Sequence, residues 1–233
     1  MSAYGAFQHT RQNDILGTTL WPVKAQPNSE PSEYVTVHHL TLEIAQTFAG
    51  LLDYLHVTFA QEVDDGMTYP QEGEISRPAF EAYFFAADVL LAIVGASKRS
   101  TNAAGVEEAV TFEQARADRI WSECVAGFYY VKPNYPGRSS HICNAGFIVP
   151  PIHRGAGYGS VLAQSYLHYA PRLGYKASVF NLVYINNTAS VRLWERLGFT
   201  KAGLIPKAGR LKRKDGQGEE YVDAWVFYKS FEE

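Results

Sequence analysis

The chain of 233 residues lacks what several large protein classes need. Its two cysteines, Cys124 and Cys143, are too few for a disulfide scaffold or a cysteine-rich zinc module. Apolar runs such as 89–95 fall far short of the roughly 20 residues that span a membrane. The chain begins without a basic segment followed by an apolar one, so we expect no secretion signal, a cytoplasmic location and reduced core thiols.

A basic excess is also missing. The chain has 21 Lys and Arg residues against 24 Asp and Glu, a formal net charge of −3, which argues against a dedicated nucleic-acid binder. A composition of 46% hydrophobic and 19% charged residues is typical of an ordinary globular protein. None of the seven histidines has metal-ligand spacing with acids or cysteines, so we expect no metal site and no membrane partner.

Acidic residues are absent from one long stretch. From Cys124 to Trp194 the sequence contains no Asp or Glu, where the chain's average composition would place roughly seven. The same stretch carries six basic residues, namely Lys132, Arg138, Arg154, Arg172, Lys176 and Arg192. We interpret it as a region that attracts a multiply anionic cofactor, although a buried sheet that excludes carboxylates would account for its strands equally well.

Hydrophobic periodicity predicts an α/β (mixed α+β) protein. Strands are predicted at 16–23, 34–40, 88–95, 121–131, 142–149, 177–184, 199–204 and 221–228. Helices are predicted from Thr41 to about 59 and over 76–86, 157–173 and 187–197. Because strands and helices alternate in the second half, we expect a central mixed twisted sheet with helices on its faces. The polar residues 1–33 are predicted to form an N-terminal arm before a domain of residues 34–233.

A glycine-rich turn between a predicted strand and a helix is the strongest local motif, Arg154-Gly155-Ala156-Gly157-Tyr158-Gly159-Ser160. Glycines let the backbone approach a ligand, and free N–H groups at a helix N-terminus suit a phosphate. The lysine of a P-loop is missing, as are the glycine spacing and the acid of a Rossmann fold, so neither nucleotide site is favoured. The turn alone is also compatible with a connection that binds nothing.

These residues together resemble the GNAT superfamily of N-acetyltransferases. Arg154-x-x-Gly157-x-Gly159 is similar to its acetyl-CoA motif, and Asn187 with 194–199 is similar to the helix and Gly-Phe that follow. The segments 68–71, 132–135, 143–147 and 180–183 resemble those of fungal proline-analogue N-acetyltransferases, which acetylate azetidine-2-carboxylate and related imino acids. The resemblance implies a GNAT fold with splayed middle strands, acetyl-CoA as co-substrate, a detoxifying role and a homodimer.

The resemblance also implies roles for candidate residues. Cofactor binding is implied for Phe147, Ile148, Val149, Arg154, Gly155, Ala156, Gly157, Tyr158, Gly159, Ser160, Asn187 and Trp194. Substrate binding is implied for Tyr69, Gln71, Asn144, Phe147, Asn181 and Leu182. For Tyr69 and Gln71 a helix-linking turn without ligand contact is the alternative. Catalysis would rest on Asn144 and Asn181, whose amides can hold an amine or a water in line with the thioester, unless they merely bond within the core. A bulge at Gly146 is expected to open the splay, with a packing glycine in a core strand as the alternative.

One position departs from the family pattern. The proton-donating Tyr that such enzymes commonly carry four residues before the Gly-Phe is Trp194 here, and the usual alanine of this helix is Ser190. An indole cannot donate an acidic proton to a thiolate. We therefore expect direct transfer in a ternary complex, with proton removal through water and catalysis mainly by positioning. A covalent route through either cysteine is disfavoured, because both lie in predicted apolar strands.

Three interpretations of function remain. We favour acetylation of a small amino or imino acid. A site for a polyamine or a protein lysine would require carboxylates to bind the cationic substrate, and the acid-free stretch lacks them. Acids further upstream, at Glu62, Asp64, Asp65, Glu72 and Glu74, could still reach the mouth of such a site. A catalytically idle CoA-binding domain is supported by the missing tyrosine alone. The basic run at 207–214 is predicted to be a solvated hairpin loop, with a contact to the 3′-phosphate of CoA as the alternative.

Overall fold

The computed structural model describes residues 15–24, 33–96 and 104–232, which form a nine-stranded mixed sheet with helices on both faces. The strands are β1 (Thr19–Val23), β2 (Glu33–Leu40), β3 (Asp88–Ala96), β4 (Val106–Glu107), β5 (Val125–Pro133), β6 (Ile142–Ile148), β7 (Ala177–Tyr184), β8 (Thr200–Lys212) and β9 (Glu219–Ser230). Their order is β4-β1-β2-β3-β5-β6-β7-β9-β8. The pair β6–β7 is parallel and the other neighbours are antiparallel, which confirms the predicted α/β class with a mixed sheet.

Helices cover the two faces of this sheet. In the described residues they are α1 (Leu42–Gln46), α2 (Leu51–Asp65), α3 (Arg77–Phe84), α4 (Phe112–Arg116), α5 (Trp121–Cys124), α6 (Tyr158–Arg172) and α7 (Thr188–Arg196). Buried side chains of α2 and α3, such as Phe59 and Phe80, form one core cluster with β3 and β5. Buried side chains of α6, such as Leu162 and Tyr166, form the other. Burial of apolar surface on both faces fixes the sheet between two helical layers.

The predicted helix from Thr41 is divided in two. Thr41, where the predicted helix starts, is the N-cap of α1, since its side chain accepts a hydrogen bond of 3.2 Å from the backbone N–H of Ile44. The helix then stops, and α2 starts after Gly50, whose φ of +75° lies in the left-handed region that favours glycine. The helical period of apolar residues continues across the break because both helices pack against the same core.

Two further predicted elements are corrected by the structure. The predicted strand 121–131 begins only at Val125, since Trp121 starts the short helix α5, stacks on Phe112 at 5.6 Å and donates its indole N–H to the Ala49 carbonyl. The predicted loop 207–214 is strand as far as Lys212, because β8 pairs with β9 over almost its whole length. Between β3 and α5 the structure places β4 and α4, and residues 97–103 lie outside the described residues.

Part of the predicted N-terminal arm belongs to the sheet. The strand predicted at 16–23 is present as β1, which pairs with β2 from Thr19 opposite Val37 to Val23 opposite Glu33. The described part of the arm therefore packs as a strand of the same sheet as the rest of the chain. Residues 1–14 and 25–32 of the predicted arm lie outside the described residues.

The middle strands are splayed, as the resemblance implied. In the described sheet β6 and β7 pair at two positions, Ile142 with Ala177 and Cys143 with Ser178, and then diverge. The bulge expected at Gly146 is absent, because β5 and β6 keep one continuous register from Phe128 to Pro133. The irregularity lies instead on β7, where the two residues between Phe180 and Val183 stand opposite a single residue of β9. The strand that bends away is therefore β7.

Candidate active site

A cavity of about 880 Å³ opens where β6 and β7 diverge. It brings together most of the predicted site residues, namely Tyr69, Gln71, Asn144, Phe147, Val149, Arg154, Gly155, Gly157, Tyr158, Gly159, Ser160, Asn181, Leu182, Asn187 and Trp194. Two predicted residues do not line it. Ile148 is buried in the core beneath α2, and Ala156 packs against the core on the α6 side. The cavity is lined both by β5 and β6, from the first half of the acid-free stretch, and by β7 and α7, from its second half.

The glycine turn forms one end of the cavity. Gly157 is the N-cap of α6 with a φ of +98°, and a Cβ there would lie 2.4 Å from the Lys24 carbonyl oxygen. Glycine is therefore required both by the backbone conformation and by the contact with the chain after β1. No side chain of the described residues caps this helix, and its first N–H groups have no intrahelical acceptor. This end of the cavity suits an anion.

Acidic side chains of α2 reach the mouth of the cavity, where they pair with the arginine of the turn. The Arg154 guanidinium lies 2.5 Å from the Glu62 carboxylate and 4.0 Å from that of Asp65, and it donates to the Val149 carbonyl at 3.2 Å. Glu62 also accepts a hydrogen bond from Thr68. Both acids that line the cavity therefore face a cation of this same chain.

Two asparagines form a reciprocal pair at the other end of the cavity. The Asn181 amide donates to Oδ1 of Asn134 at 2.6 Å and accepts from Nδ2 of Asn134 at 3.1 Å. Asn181 lies at the irregular position of β7, whereas Asn134 directly follows β5 and is buried. The third amide, Asn144 on β6, accepts a hydrogen bond of 2.8 Å from the N–H of Ala145. All three line the cavity, so both predicted catalytic amides meet there.

A buried lysine stands beside these amides. Lys132 on β5 is paired in the sheet with Asn144, donates to the Tyr83 carbonyl at 3.1 Å, and lies 3.7 Å and 4.2 Å from the ring centres of Tyr83 and Tyr130. Burial lowers its pKa to about 8. The cavity lining also contains four residues that were not predicted as site residues, namely Lys132, Asn134, Tyr83 and Tyr130. The segment 132–135 resembles the fungal enzymes and contains two of them, Lys132 and Asn134, whereas no motif indicates Tyr83 or Tyr130.

The lining contains polar atoms that lack a partner among the described residues. The Tyr69 hydroxyl, Oε1 of Gln71 and Nε2 of His153 are buried without a hydrogen bond there. Tyr69 packs edge-on against Phe59, and burial raises its pKa well above the usual range. A buried polar atom without a partner is costly, so the lining is built to meet a polar ligand.

Gly146 on β6 lies next to the rings of Tyr69 and Tyr130. A Cβ at position 146 would lie 2.5 Å from the Tyr130 ring and 2.6 Å from the Tyr69 hydroxyl. Its φ is not in the left-handed region, so the requirement is for space and not for an unusual backbone. The glycine that was expected to make a bulge instead lets two tyrosines approach the strand.

Trp194 is a packing residue of the cavity wall. Its ring lies 4.5 Å from that of Phe180 and 5.2 Å from that of Phe147, and its indole N–H donates to the Ser190 hydroxyl at 3.1 Å. Asn187 caps α7 by accepting from the Ser190 N–H. Because Trp194 stands where related enzymes commonly have a tyrosine, α7 carries no phenolic hydroxyl next to the cavity.

Neither cysteine is placed as a nucleophile. Cys143 is buried in the core cluster that contains the α6 side chains, with its sulfur 3.0 Å from the Tyr166 hydroxyl. Cys124 is buried too, and burial raises the pKa of its thiol. Within the described residues no cluster of three potential metal ligands occurs, and no helix has the length and apolarity that would carry it across a membrane.

The fold and the cavity agree with comparisons to known proteins. The model of the acetyltransferase (GNAT) family matches residues 94–199. The N-acetyltransferase aca1 of Schizosaccharomyces pombe is 43% identical over 181 residues, which cover 78% of this chain and 80% of that protein. Protein SPT10 of Saccharomyces cerevisiae is 28% identical over 91% of this chain, but the match covers only 34% of that longer protein.

Solved structures share the fold at lower identity. A GCN5-related N-acetyltransferase from Kribbella flavida has a TM-score of 0.61 and 23% identity, with 84% of this chain and 97% of that chain covered. A GNAT phosphinothricin acetyltransferase from Sinorhizobium meliloti, in complex with AcCoA, has a TM-score of 0.60 and 14% identity, with 84% and 88% covered. The sequence relationship to aca1, the family match and the shared fold agree, and the chain is therefore an N-acetyltransferase of the GNAT family.

Proposed function

We propose that this chain transfers the acetyl group of acetyl-CoA to the amine of a small amino or imino acid, such as the proline analogue azetidine-2-carboxylate. The observation that carries the proposal is a single cavity that joins an anion-suited helix N-terminus to an amide-rich end containing a lysine. The acids in its lining, Glu62 and Asp65, face Arg154 and are poorly placed to receive a cationic acceptor. This arrangement supports an acceptor that is not a polyamine or a protein lysine.

The cavity fits acetyl-CoA, which would supply the reactive thioester. The turn at 154–160 and the first N–H groups of α6 would hold the pyrophosphate. The edge of β6 that β7 leaves open at Phe147 and Val149 offers backbone groups that would pair with the pantetheine, as a strand pairs in a sheet. These elements belong to the acid-free stretch with its six basic residues, so long-range electrostatics also favour an anion here.

The chain's own residues would act mainly by positioning. Asn144 and Asn181 would hold the acceptor amine or a water in line for attack, in a ternary complex without a covalent enzyme intermediate. An amide cannot act as a general base near neutral pH, so the amine's proton would leave through water. As the C–N bond forms, the C–S bond of the thioester would break, and the departing thiolate would take up a proton from water because Trp194 cannot donate one. Tyr69 and Gln71 would supply hydrogen bonds to the acceptor, since both carry a buried polar atom that lacks a partner among the described residues.

Trp194 should be dispensable as a proton donor. Replacing it with Phe keeps an aromatic ring against Phe180 and removes the hydrogen bond to Ser190. We expect kcat to fall by no more than about tenfold, because neither ring can donate an acidic proton and the loss is one of packing. Steady-state rates and a thermal melt measure this. A loss beyond about a thousandfold in a variant of unchanged stability would contradict it.

The proposal includes a homodimer. The β8–β9 hairpin at the end of the sheet carries exposed apolar side chains, including Leu204, Ile205 and Tyr221. Exposed apolar side chains on a hairpin at a sheet end are suited to contact with a second copy. Sedimentation equilibrium of the purified chain tests this, and a monomer at micromolar concentration would contradict it.

A thiol-release screen tests the proposed function. Purified protein and acetyl-CoA are incubated with proline analogues, ordinary amino acids, polyamines and histone peptides, and free CoA thiol is measured. We expect release with cyclic imino or small amino acids. Preferential turnover of polyamines or peptides would contradict the proposed acceptor class. Tight acetyl-CoA binding without turnover of any amine would instead favour a catalytically idle domain.

A further inference from the structure

At the amide end of the cavity, Lys132 is a buried cation that lies among neutral groups. The Lys132 ammonium has two aromatic rings and one carbonyl oxygen around it, and no carboxylate of the described residues lies within ion-pair distance. The two rings belong to Tyr83 on α3 and Tyr130 on β5, and Tyr69, in the loop after α2, lies close to both tyrosines. Burial raises the pKa of Tyr69 and Tyr130 well above the usual range, so both are neutral in this environment.

This environment leaves the charge of Lys132 incompletely compensated. A buried ammonium needs a partner, because its desolvation costs more than a carbonyl and ring faces return. Elsewhere at the cavity the chain does supply partners, as the Arg154–Glu62 pair shows. The negative charge that would balance Lys132 would therefore come from an anion that enters the cavity.

The position of Lys132 also specifies where that anion sits relative to the reacting amine. Lys132 and Asn144 are directly opposite in the β5–β6 register. Side chains at opposite positions of an antiparallel pair start about 5 Å apart and point to the same face. In an α-amino or α-imino acid the amine and the carboxylate are attached to one carbon, so adjacent side chains would hold the two groups.

From this juxtaposition we propose that Lys132 is a specificity-determining residue that binds the carboxylate of the acceptor and disfavours acceptors carrying a further cation. The inference rests on the proposed function, since it assumes that the acceptor amine binds beside Asn144. It extends that function by assigning recognition of the acceptor's negative charge to one side chain outside the glycine turn. Lysine would act here as a point charge held between two rings.

The test compares two acceptors on three proteins. Azetidine-2-carboxylate and its carboxamide have the same ring and amine and differ in the negative charge. The wild type, Lys132→Met and Lys132→Arg are each assayed for kcat/KM by thiol release, with a thermal melt as the folding control. Methionine keeps an apolar stem of similar length, and arginine keeps the charge. Comparing variants on the same acceptor cancels the different basicities of the two amines.

We expect Lys132→Met to lose about 10- to 100-fold in kcat/KM for the acid, mostly through KM, as for a hydrogen bond to a charged group. Its activity on the carboxamide should stay within about threefold of wild type, and Lys132→Arg should retain part of the preference for the acid. Equal losses on both acceptors, or no loss on the acid, would overturn the inference while the proposed function stands. A wild type that turns over neither acceptor but acetylates polyamines would overturn the proposed function and the inference together.

The pH dependence provides a second readout that a structural role would not produce. Lys132 has a pKa lowered to about 8 by burial, so the free enzyme loses the ammonium as the pH rises through that value. The ratio of wild-type to Lys132→Met kcat/KM for the acid should therefore be largest below pH 8 and fall above it. Taking the ratio removes the ionisation of the amine itself. A ratio that stays constant from pH 6.5 to 9.5 would contradict a charge-based role.

Discussion

Replacing Gly159 with glutamate should abolish acetyl-CoA binding while the protein stays folded. Gly159 lies in the first turn of α6 and lines the cavity, and its φ is not in the left-handed region. A Cβ there would have Val149 as its nearest neighbour at 4.0 Å, so the structure has room for a side chain. The added carboxylate would occupy the position proposed for the pyrophosphate and repel it, although an acid in a first helical turn is itself mildly stabilising.

Isothermal titration calorimetry with acetyl-CoA measures this effect. We expect Kd to rise by more than about a hundredfold in Gly159→Glu, because steric exclusion and charge repulsion act together. Gly159→Ala, which adds only the Cβ, is the matched control and should bind within about threefold of wild type. Gly159→Gln separates bulk from charge. A folded Gly159→Glu protein that binds acetyl-CoA with wild-type affinity would contradict the assignment of the turn.

Gly157 would be a poor choice for this experiment. Its backbone is left-handed, and a Cβ would meet the backbone of Lys24 at 2.4 Å. Any substitution there would therefore disturb the connection after β1 and the start of α6 together. Loss of binding in such a variant would report damage to the fold as readily as loss of a phosphate site.

The strongly periodic parts of the fold could be predicted from the sequence. The strand 177–184 is present with the same bounds, and the helix over 157–173 differs by one residue at each end. In both, one apolar face packs on the core, so the pattern of the sequence and the burial agree. The part of β8 after residue 204 was not predicted, because most of its side chains are exposed. A strand at the end of a sheet need not show an alternation of apolar and polar residues.

The two ends of the site differed in how far they could be predicted. The glycine turn is a local motif of seven consecutive residues, so its place at a helix N-terminus follows from the sequence. The amide end of the cavity is assembled from β5, β6, β7 and the loop after α2. The contact of Lys132 with Tyr83, or of Asn134 with Asn181, joins residues 47 or more positions apart, and nothing in a short motif specifies it. The shift of the bulge from Gly146 to β7 has the same origin, since strand pairing decides it.

The paired amide at the β7 irregularity should be essential for turnover. Asn181 is held by two hydrogen bonds to Asn134, which fix both ends of its amide in the cavity wall. We expect Asn181→Ala to lower kcat/KM for a cyclic imino acid by roughly 10²- to 10³-fold, comparable to the loss of one oxyanion-hole donor. Asn144→Ala should cause a loss of the same order. In both variants the Kd of acetyl-CoA should change by less than about threefold, because the glycine turn and backbone hold the cofactor.

Asn134→Ala separates positioning from a purely structural role of the pair. It removes the partner of Asn181 and leaves the Asn181 amide in the cavity, so its cost in turnover should be smaller, about tenfold, if Asn181 touches the acceptor. In a core pair without ligand contact, either truncation would leave one buried amide unpaired, and both variants would lose similar stability. Thermal melts, acetyl-CoA affinity and kcat/KM of all three alanine variants therefore decide the matter. Matching losses of stability in Asn181→Ala and Asn134→Ala, with no further loss of turnover in Asn181→Ala, would assign the pair to the core.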